Sequence, residues 1–332
     1  MEQHPAHIYT EEDKYFHVTL TAFGPAESNP QLKKLGYIHT IVPPPIFTYI
    51  YVSDTYNHRI KKHETTDLSF ITEIGSLGTG DDQFSYPWGI AADDDHIYVC
   101  DSGNHRISKR LKSDLAFVLK FGSYGLGNTQ FNIPNGIAVD DTYLYISDRR
   151  NYRIKKHLKA DGTYVTKIGT KGAGQDQFEY PNGIAVDHTH LWVVDFKNHI
   201  LQKRLKSDLS FVASIGTLGS GNNQFNKPWD VAVDDDYIYI TEGGNQRIQK
   251  RLKSTLAFVA KIGEYGSGQD QFDSPTGISV DATYLYVSDE YNRRIQKRLK
   301  SDLSFVSQLG SDGSGDDNFD HPQGLAVTND FY

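Results

Sequence analysis

A motif of 47 residues recurs six times along the chain. The proline that opens the phrase PxGIAVD, or a variant of it, occurs at a constant interval, at Pro87, Pro134, Pro181, Pro228, Pro275 and Pro322. A carboxylate that ends a YVSD-like segment keeps the same interval, at Asp54, Asp101, Asp148, Asp195, Glu242 and Asp289. Repeats of this length build arrays of small units that bury their faces against their neighbours. The sequence therefore constrains the architecture more than it constrains the chemistry.

One repeat, residues 134–180, contains four strand-like segments, at 136–140, 143–148, 153–158 and 164–169. These segments are rich in β-branched and aromatic residues, and turns containing Asp, Asn or Gly separate them. One four-stranded sheet of this size cannot bury both of its faces, whereas six such sheets arranged radially can. We therefore predict an all-β fold, a six-bladed β-propeller.

The two ends of the chain supply complementary parts of one blade. The last copy ends with residues 322–332, which provide only a first strand, whereas the first recognisable strand, Tyr49–Asp54, corresponds to a second strand. We predict that residues 325–327 pair with this strand, so that a blade shared between the termini closes the ring and removes open edges. The predicted domains are an N-terminal extension at 1–48 and the propeller at 49–332.

The repeat resembles a known family. The phrase QFNIPNG at residues 130–136, followed by IAVD, YISD, NYRI and IG, is similar to the NHL repeat, whose Asn-His pair occurs here as Asn57-His58, Asn104-His105 and Asn198-His199. The resemblance spans residues 49–332 and implies a six-bladed propeller. It also implies a protein-binding or RNA-binding platform, an extracellular sensor domain or, in one branch, a metal-dependent lyase of amidated peptides. Three positions depart from the pattern: Ile200 replaces Arg, Glu242 replaces Asp and Asp230 replaces Gly.

Carboxylate and arginine residues recur five positions apart, across the turn that follows the second strand. The predicted structural pairs are Asp54 with Arg59, Asp101 with Arg106, Asp148 with Arg153, Glu242 with Arg247 and Asp289 with Arg294. A bidentate carboxylate–guanidinium pair would fix each hairpin. A catalytic pair would not be needed five times. Asp195 lacks an arginine, so we expect it to find another donor or to face water.

The thirteen histidines recur at repeat-equivalent positions, which favours packing and turn roles. Lyases of the family need several histidines around the central channel, whereas His321 alone precedes an opening proline here. Acidic turns such as Asp93-Asp94-Asp95 lack the alternating ligands of a calcium loop. The sequence therefore predicts no catalytic residue, no metal site and no cofactor.

The net charge is −8 and the only cysteine is Cys100, which rules out an intramolecular disulfide. Residues 1–20 lack the basic and apolar regions of a secretory signal, and no apolar run is long enough to span a membrane. These features predict no membrane insertion and are compatible with the cytosol. They leave the compartment and the oligomeric state open.

Basic residues concentrate on the third strands, where seven-residue windows starting at the repeat's Arg position hold 22 of the 34 Lys and Arg residues. We expect these strands to lie toward the outer wall, with Lys109, Arg204 and Lys250 as examples. One interpretation is a solvated strand whose long aliphatic stems cover apolar surface. The alternative is a basic belt for an acidic partner.

The positions that differ most between copies follow the second strand and the opening proline, and in a propeller both sets surround one mouth of the central channel. We predict that this face binds a partner through Trp88, Arg149, Arg150, Phe196, Lys197, Trp229 and Tyr291, because Trp, Tyr and Arg supply much of the binding energy at interfaces. A protein partner is favoured. The variable charges of the face number five positive and four negative, which disfavours RNA.

The predicted function is therefore a non-enzymatic recognition scaffold. One alternative is a metal-dependent lyase or hydrolase with its site in the channel. Another is a structural module of a large assembly, such as a virion or surface appendage, docked through residues 1–48. That extension contains a strand-like segment at 15–24 and three prolines at 43–45, and is a tail, a decayed repeat or a docking segment.

Overall fold

Each repeat folds into one four-stranded antiparallel sheet, and the six sheets form the blades of a β-propeller. The computed structural model describes residues 48–328. The predicted all-β class and six-bladed architecture are confirmed. The predicted N-terminal extension lies outside the described residues, apart from its last residue, so its role stays a prediction.

The strands of the first three blades have closely similar lengths. Blade 1 contains Tyr49–Asp54 (β1), Arg59–Glu64 (β2) and Phe70–Ile74 (β3). Blade 2 contains Pro87–Ala92 (β4), His96–Asp101 (β5), Arg106–Leu111 (β6) and Phe117–Phe121 (β7). Blade 3 contains Pro134–Val139 (β8), Tyr143–Asp148 (β9), Arg153–Leu158 (β10) and Tyr164–Ile168 (β11). A short parallel pair, Thr170–Lys171 (β12) and Gln177–Phe178 (β13), follows in the connection to blade 4.

The remaining blades repeat this order. Blade 4 contains Pro181–Val186 (β14), His190–Asp195 (β15), Ile200–Leu205 (β16) and Phe211–Ile215 (β17). Blade 5 contains Pro228–Val233 (β18), Tyr237–Glu242 (β19), Arg247–Leu252 (β20) and Phe258–Ile262 (β21). Blade 6 contains Pro275–Val280 (β22), Tyr284–Asp289 (β23), Arg294–Leu299 (β24) and Phe305–Leu309 (β25), and Pro322–Val327 (β26) is the last described strand. The described helical segments are two 3-10 turns, Ser102–Asn104 and Arg149–Asn151, and neither has the length or hydropathy that crossing a membrane requires.

The ring closes between the two ends of the chain. Strand β26 pairs antiparallel with β1, with Ile50 opposite Val327 and Val52 opposite Leu325. It thereby becomes the innermost strand of blade 1. The innermost strands also contact one another in sequence around the channel, and β26 lies between β22 and β4. The predicted closure by a shared blade is therefore confirmed.

The hydrophobic core is divided into six clusters, one between each pair of neighbouring blades. Each second strand contributes a fully buried aromatic residue to them, namely Tyr51, Tyr98, Tyr145, Trp192, Tyr239 or Tyr286. The polar ends of five of these rings donate to an aspartate of an acidic turn. The Tyr98 hydroxyl, for example, donates to Asp93 Oδ2 over 2.9 Å. Asp93 Oδ1 also accepts the backbone N–H of His96 over 2.8 Å. The acidic turns thus cap hairpins and buried aromatic residues.

The third strands do not form the outer wall, and this part of the sequence interpretation is wrong. The fourth strands lie outside them and expose alternate residues, including Val212 and Val259. Lys109 and Lys250 are buried, and Arg204 is fully buried. Their charged heads are held mainly by backbone carbonyls: Lys250 Nζ donates to the carbonyls of Lys300 at 2.6 Å and Ser301 at 3.1 Å. The long stems cover apolar surface, as one interpretation proposed, but they do so between blades.

The fifth position of each third strand is occupied by a buried basic side chain: His63, Arg110, His157, Arg204, Arg251 or Arg298. The Nδ1 atom of His157 lies 2.8 Å from the carbonyl oxygen of Gly162. Burial lowers the pKa of His157 to about 4. The unfolded chain therefore binds a proton below about pH 6.5 that the folded chain excludes until about pH 4, so stability falls as the pH is lowered through this window.

We expect His157→Gln to reduce this acid sensitivity. At about pH 5 the excluded proton costs the parent about 2 kcal/mol in free energy of unfolding, a cost that the variant does not have. Urea unfolding of the parent and the variant at about pH 7.5 and pH 5 measures the difference. The exposed His188→Gln is the control. Parallel pH profiles for the parent and His157→Gln would contradict the assignment.

Candidate functional site

The carboxylate at the end of each second strand fixes the loops of one face of the ring. Asp101 Oδ2 accepts a hydrogen bond from Arg106 Nε over 2.7 Å, and Asp101 Oδ1 accepts the backbone N–H of Ser85 over 2.7 Å. The remaining Arg106 nitrogens donate to carbonyls of the loop that enters the blade, at Thr79, Gly80 and Gln83. The pair is therefore not bidentate as expected, because the guanidinium joins the hairpin to this loop.

The same Nε contact forms in the other four predicted pairs. It measures 2.7 Å in Asp54–Arg59, Asp148–Arg153 and Asp289–Arg294, and 2.6 Å in Glu242–Arg247. Asp195, which lacks the arginine, is fully buried and accepts hydrogen bonds from the Asn198 amide at 2.7 Å and the Glu179 N–H at 2.8 Å. Burial raises the pKa of Asp195.

The recurring histidines after the second strands connect neighbouring blades. The residue before an opening proline has a left-handed backbone in every blade, for example φ 47° at Tyr86. Its N–H donates to a histidine Nδ1 of the preceding blade in three cases: Tyr86 to His58 at 3.1 Å, Ile133 to His105 at 3.1 Å and Lys227 to His199 at 3.0 Å. These histidines therefore have a structural role that accounts for their repetition.

The loops fixed in this way form what we call the mouth face, which carries the residues after the second strands and those flanking the opening prolines. Near the ring axis, Trp88 of blade 2 and Trp229 of blade 5 meet with ring centroids 6.5 Å apart. Phe196 packs edge-on against Trp229 at 5.3 Å. The Arg149 Cζ atom lies 5.4 Å from the Trp88 ring, 5.7 Å from Phe196 and 5.9 Å from Trp229. With Tyr180, whose ring is 5.0 Å from Cζ, these residues form what we call the arginine cage.

Arg149 has an unusual electrostatic environment. Burial lowers its pKa to about 10. Within residues 48–328 its buried Nε atom has no hydrogen-bond partner. The surrounding rings stabilise the charge through cation–π contacts, which are worth about 0.5 to 2 kcal/mol each depending on desolvation. The cage thus holds a guanidinium that has no counter-ion among residues 48–328.

The structure brings together four of the seven residues predicted for the binding face: Trp88, Arg149, Phe196 and Trp229. Lys197 is exposed beside the cage, with Nζ 5.5 Å from the Tyr180 ring, and Arg150 is exposed next to Arg149 in the chain. Tyr291 lies in a separate group on the same face, which we call the tyrosine–histidine cluster and which also contains Tyr56, Tyr86 and His321. The ring centroids of Tyr291 and His321 are 5.4 Å apart, and those of His321 and Tyr56 are 4.2 Å apart.

Tyr180 is the cage residue that the sequence interpretation did not select. It occupies the variable position before an opening proline, and its ring also stacks on Tyr152 with centroids 5.9 Å apart. The aromatic character of Tyr180 and Tyr86 at this position was the available signal. It was not decisive because Ile133, Lys227 and Ser274 occupy the same position in other blades.

The central channel below the two tryptophans contains a cavity of about 210 Å³, lined by the innermost strands. Five of the six repeats place a glycine where neighbouring backbones approach; a Cβ atom on Gly277, for example, would collide with the carbonyl oxygen of Gln323. Asp230 takes this position in blade 5 and is the sole charged residue among the described residues that line the cavity. Its carboxylate accepts the N–H of Ile278 over 3.2 Å and of Val231 over 2.8 Å. Within residues 48–328, two buried atoms of the same lining, Asn135 Nδ2 and Gln323 Oε1, have no hydrogen-bond partner.

Burial raises the pKa of Asp230 to about 7. Between about pH 4 and pH 7, Asp230 is therefore protonated in the folded protein and ionised in the unfolded chain. The free energy of unfolding falls as the pH rises through this window. We expect the stability of Asp230→Asn relative to the parent to increase by about 2 to 3 kcal/mol between about pH 5 and about pH 8. Melting temperatures across this range test the prediction. A difference that does not change with pH would contradict it.

Among residues 48–328, no three His, Cys, Asp or Glu side chains cluster closely enough to hold a metal ion. His321, the histidine before an opening proline, lies 2.7 Å from Asp320 Oδ1 and packs on Tyr56. His321 therefore belongs to the tyrosine–histidine cluster.

Comparisons with known proteins agree with this architecture. The NHL repeat family model matches residues 84–109 and 225–250, which lie three repeats apart. No curated protein sequence matches the chain. A chain of a nidogen/laminin complex has a similar structure, with a TM-score of 0.62 and 13% identity over 84% of this chain and 98% of that chain. A functionally unknown protein from Desulfotomaculum acetoxidans DSM 771 is also similar, with a TM-score of 0.56 and 12% identity over 85% of this chain and 99% of that chain. The chain is therefore a six-bladed β-propeller in which two of the repeats match the NHL repeat family model.

Proposed function

We propose that this propeller is a non-enzymatic recognition scaffold that binds a protein partner through its mouth face. The observation that carries the proposal is the arginine cage, where large aromatic side chains and a guanidinium converge at the ring axis while remaining partly accessible. Trp, Tyr and Arg are the residues most often responsible for binding energy at protein interfaces. The rigid blades fix these groups in advance, which lowers the entropy lost on binding.

The charge distribution of the mouth face also favours a protein over RNA. Arg293 is paired with Asp312 at 3.0 Å and contacts Asp320 as well, so it does not add to a phosphate-binding surface. The other positive residues of the mouth face are only four, namely Arg149, Arg150, Lys197 and Lys227. A phosphate-binding face needs a more extended positive surface.

The described lining of the channel contains few groups that could act in catalysis. It combines apolar side chains and the uncharged polar side chains of Asn135, Ser279 and Gln323 with the single carboxyl of Asp230. General acid–base catalysis on a bound substrate commonly uses two groups with different pKa values. This lining therefore supports the scaffold proposal better than the lyase or hydrolase alternative.

The test is capture of interacting proteins from the native source with three baits. These are the parent, Trp88→Ala/Trp229→Ala on the mouth face, and Val212→Ala/Val259→Ala on the exposed fourth strands. We expect a protein that is retained by the parent and the valine variant and lost with the tryptophan variant. A partner retained equally by all three baits would contradict the proposal.

A further inference from the structure

Resting on the proposed function, we propose that the arginine cage is a receptor for a carboxylate, and that the partner presents an acidic peptide segment to Arg149. The carboxylate would complete the hydrogen bonding of a guanidinium that aromatic rings surround and that has no counter-ion in the part of the chain that the structure describes. This assigns a chemical class to the partner's contact segment.

The first support is the contrast between Arg149 and the other arginines. Within residues 48–328, every other arginine that is not exposed donates at least one hydrogen bond to the protein. Arg251 is an example without any ion pair: it donates to the carbonyls of Leu256 at 2.8 Å and Asn222 at 2.6 Å. Buried polar groups are nearly always satisfied, so an exception calls for an explanation. A ligand that accepts hydrogen bonds from Arg149 is such an explanation.

The second support is the type of contact that the cage provides. The four rings lie 5.0 to 5.9 Å from Arg149 Cζ, distances typical of cation–π contacts. Such contacts hold a guanidinium in place without using its N–H groups. The planar fork of N–H donors matches the two oxygens of a carboxylate. The cage therefore positions a donor set that is complementary to an acidic side chain.

The third support is the state of the other charges on the mouth face. Glu290 accepts hydrogen bonds from Ser274 at 3.1 Å and Gln323 at 3.1 Å, and Asp320 is bound by Arg293 and His321. These carboxylates belong to blade 6 and to the entry into blade 1, where they are already engaged. Beside the cage, Arg150 and Lys197 are exposed and positively charged. Asp148, which precedes Arg149 in the chain, is paired with Arg153 at 2.7 Å. The carboxylate of Glu179, next to Tyr180, forms no ion pair with Arg149 within residues 48–328.

The probe is a hexaglutamate peptide titrated into the full chain at low ionic strength, with hexaglutamine as the uncharged control. Intrinsic tryptophan fluorescence is a direct readout, because Trp88 and Trp229 contact Arg149 whereas the third tryptophan, Trp192, is fully buried in a blade. We expect saturable binding of hexaglutamate and none of hexaglutamine.

The variants separate the cage from general electrostatic attraction. Arg149→Gln is expected to weaken hexaglutamate binding at least tenfold. Arg149→Lys keeps the charge but loses the planar fork of donors, so its affinity is expected to lie between those of the parent and Arg149→Gln. Lys261→Gln removes one positive charge from an exposed fourth-strand position and is expected to bind as the parent does. Equal affinity of the parent and Arg149→Gln, or no binding of hexaglutamate to the parent, would overturn the proposal.

A hexauridylate oligonucleotide provides the competing ligand class. Binding of this oligonucleotide more tightly than hexaglutamate, with loss in Arg149→Gln, would assign the cage to phosphate and overturn the carboxylate. If hexaglutamate fails but the Trp88→Ala/Trp229→Ala bait still loses its partner, this inference alone fails. If the captured partner is indifferent to the tryptophans, the proposed function fails.

Discussion

A chain that ends at Asp320 is expected to lose cooperative folding. The truncation removes β26, which forms the innermost strand of blade 1 and lies between the innermost strands of blades 6 and 2. Leu325 and Val327 belong to the core cluster that also contains Ile50 and Tyr286. Removing a buried leucine from a core costs about 2 to 5 kcal/mol, and a whole domain is stable by only about 5 to 15 kcal/mol. The loss of the entire strand and its pairing with β1 therefore exceeds what the ring can tolerate.

The measurement is thermal unfolding followed by circular dichroism, together with size-exclusion chromatography. A chain ending at Thr328 keeps β26 and is the matched control. We expect a cooperative transition and a monodisperse peak for the control, and aggregation or a non-cooperative transition for the shorter chain. Equal melting temperatures for the two chains would show that closure by β26 does not hold the ring together.

The fold could be predicted from the sequence because each structural signal occurs six times. The opening proline marks the start of each innermost strand, and Tyr143–Asp148 and Arg153–Leu158 match the predicted second and third strands of one repeat residue for residue. Closure followed from the repeat count, since residues 322–332 supply a first strand where residues 49–54 supply a second. Local strand propensity and repeat length were sufficient for these features.

The environment of the basic third strands could not be predicted from the sequence. An alternating segment such as RIQKRLK is typical of a half-solvated strand, and nothing in it shows that a fourth strand and a neighbouring loop will cover it. Arg298 illustrates the difference, since it is fully buried and donates to the carbonyls of Leu303 and Gln269, at 2.7 Å each. The acceptors lie on separate turns and loops, so the burial depends on tertiary structure. Lys109, Arg204 and Lys250 therefore cannot serve as surface controls in binding experiments.

The composition of the candidate site could be predicted only in part. Variation between copies selected Trp88, Arg149, Phe196 and Trp229, which the structure brings together. It did not separate them from Tyr291, because the arrangement around the ring depends on how far each side chain extends toward the axis. The meeting of Trp88 and Trp229 across the channel follows from their length and from the narrow ring of innermost strands, which repeat spacing alone does not reveal.

Replacing both tryptophans by alanine is expected to weaken binding of the native partner by about 3 kcal/mol, roughly 100-fold. Trp88 and Trp229 contact each other and Arg149, so their removal eliminates the central apolar surface of the mouth face and two walls of the arginine cage. Aromatic anchors at the centre of an interface commonly contribute about 2 kcal/mol or more each, and their effects are not additive. The blade cores are unaffected because neither tryptophan belongs to the six core clusters.

Titration calorimetry of the captured partner against the parent, Trp88→Ala/Trp229→Ala and Val212→Ala/Val259→Ala tests most directly whether the mouth face is the recognition site. Thermal unfolding first establishes that all three proteins are folded. We predict that the valine variant binds with the affinity of the parent and that the tryptophan variant binds roughly 100-fold more weakly. Unchanged affinity in the tryptophan variant, with a loss in the valine variant, would place recognition on the outer wall and contradict the account.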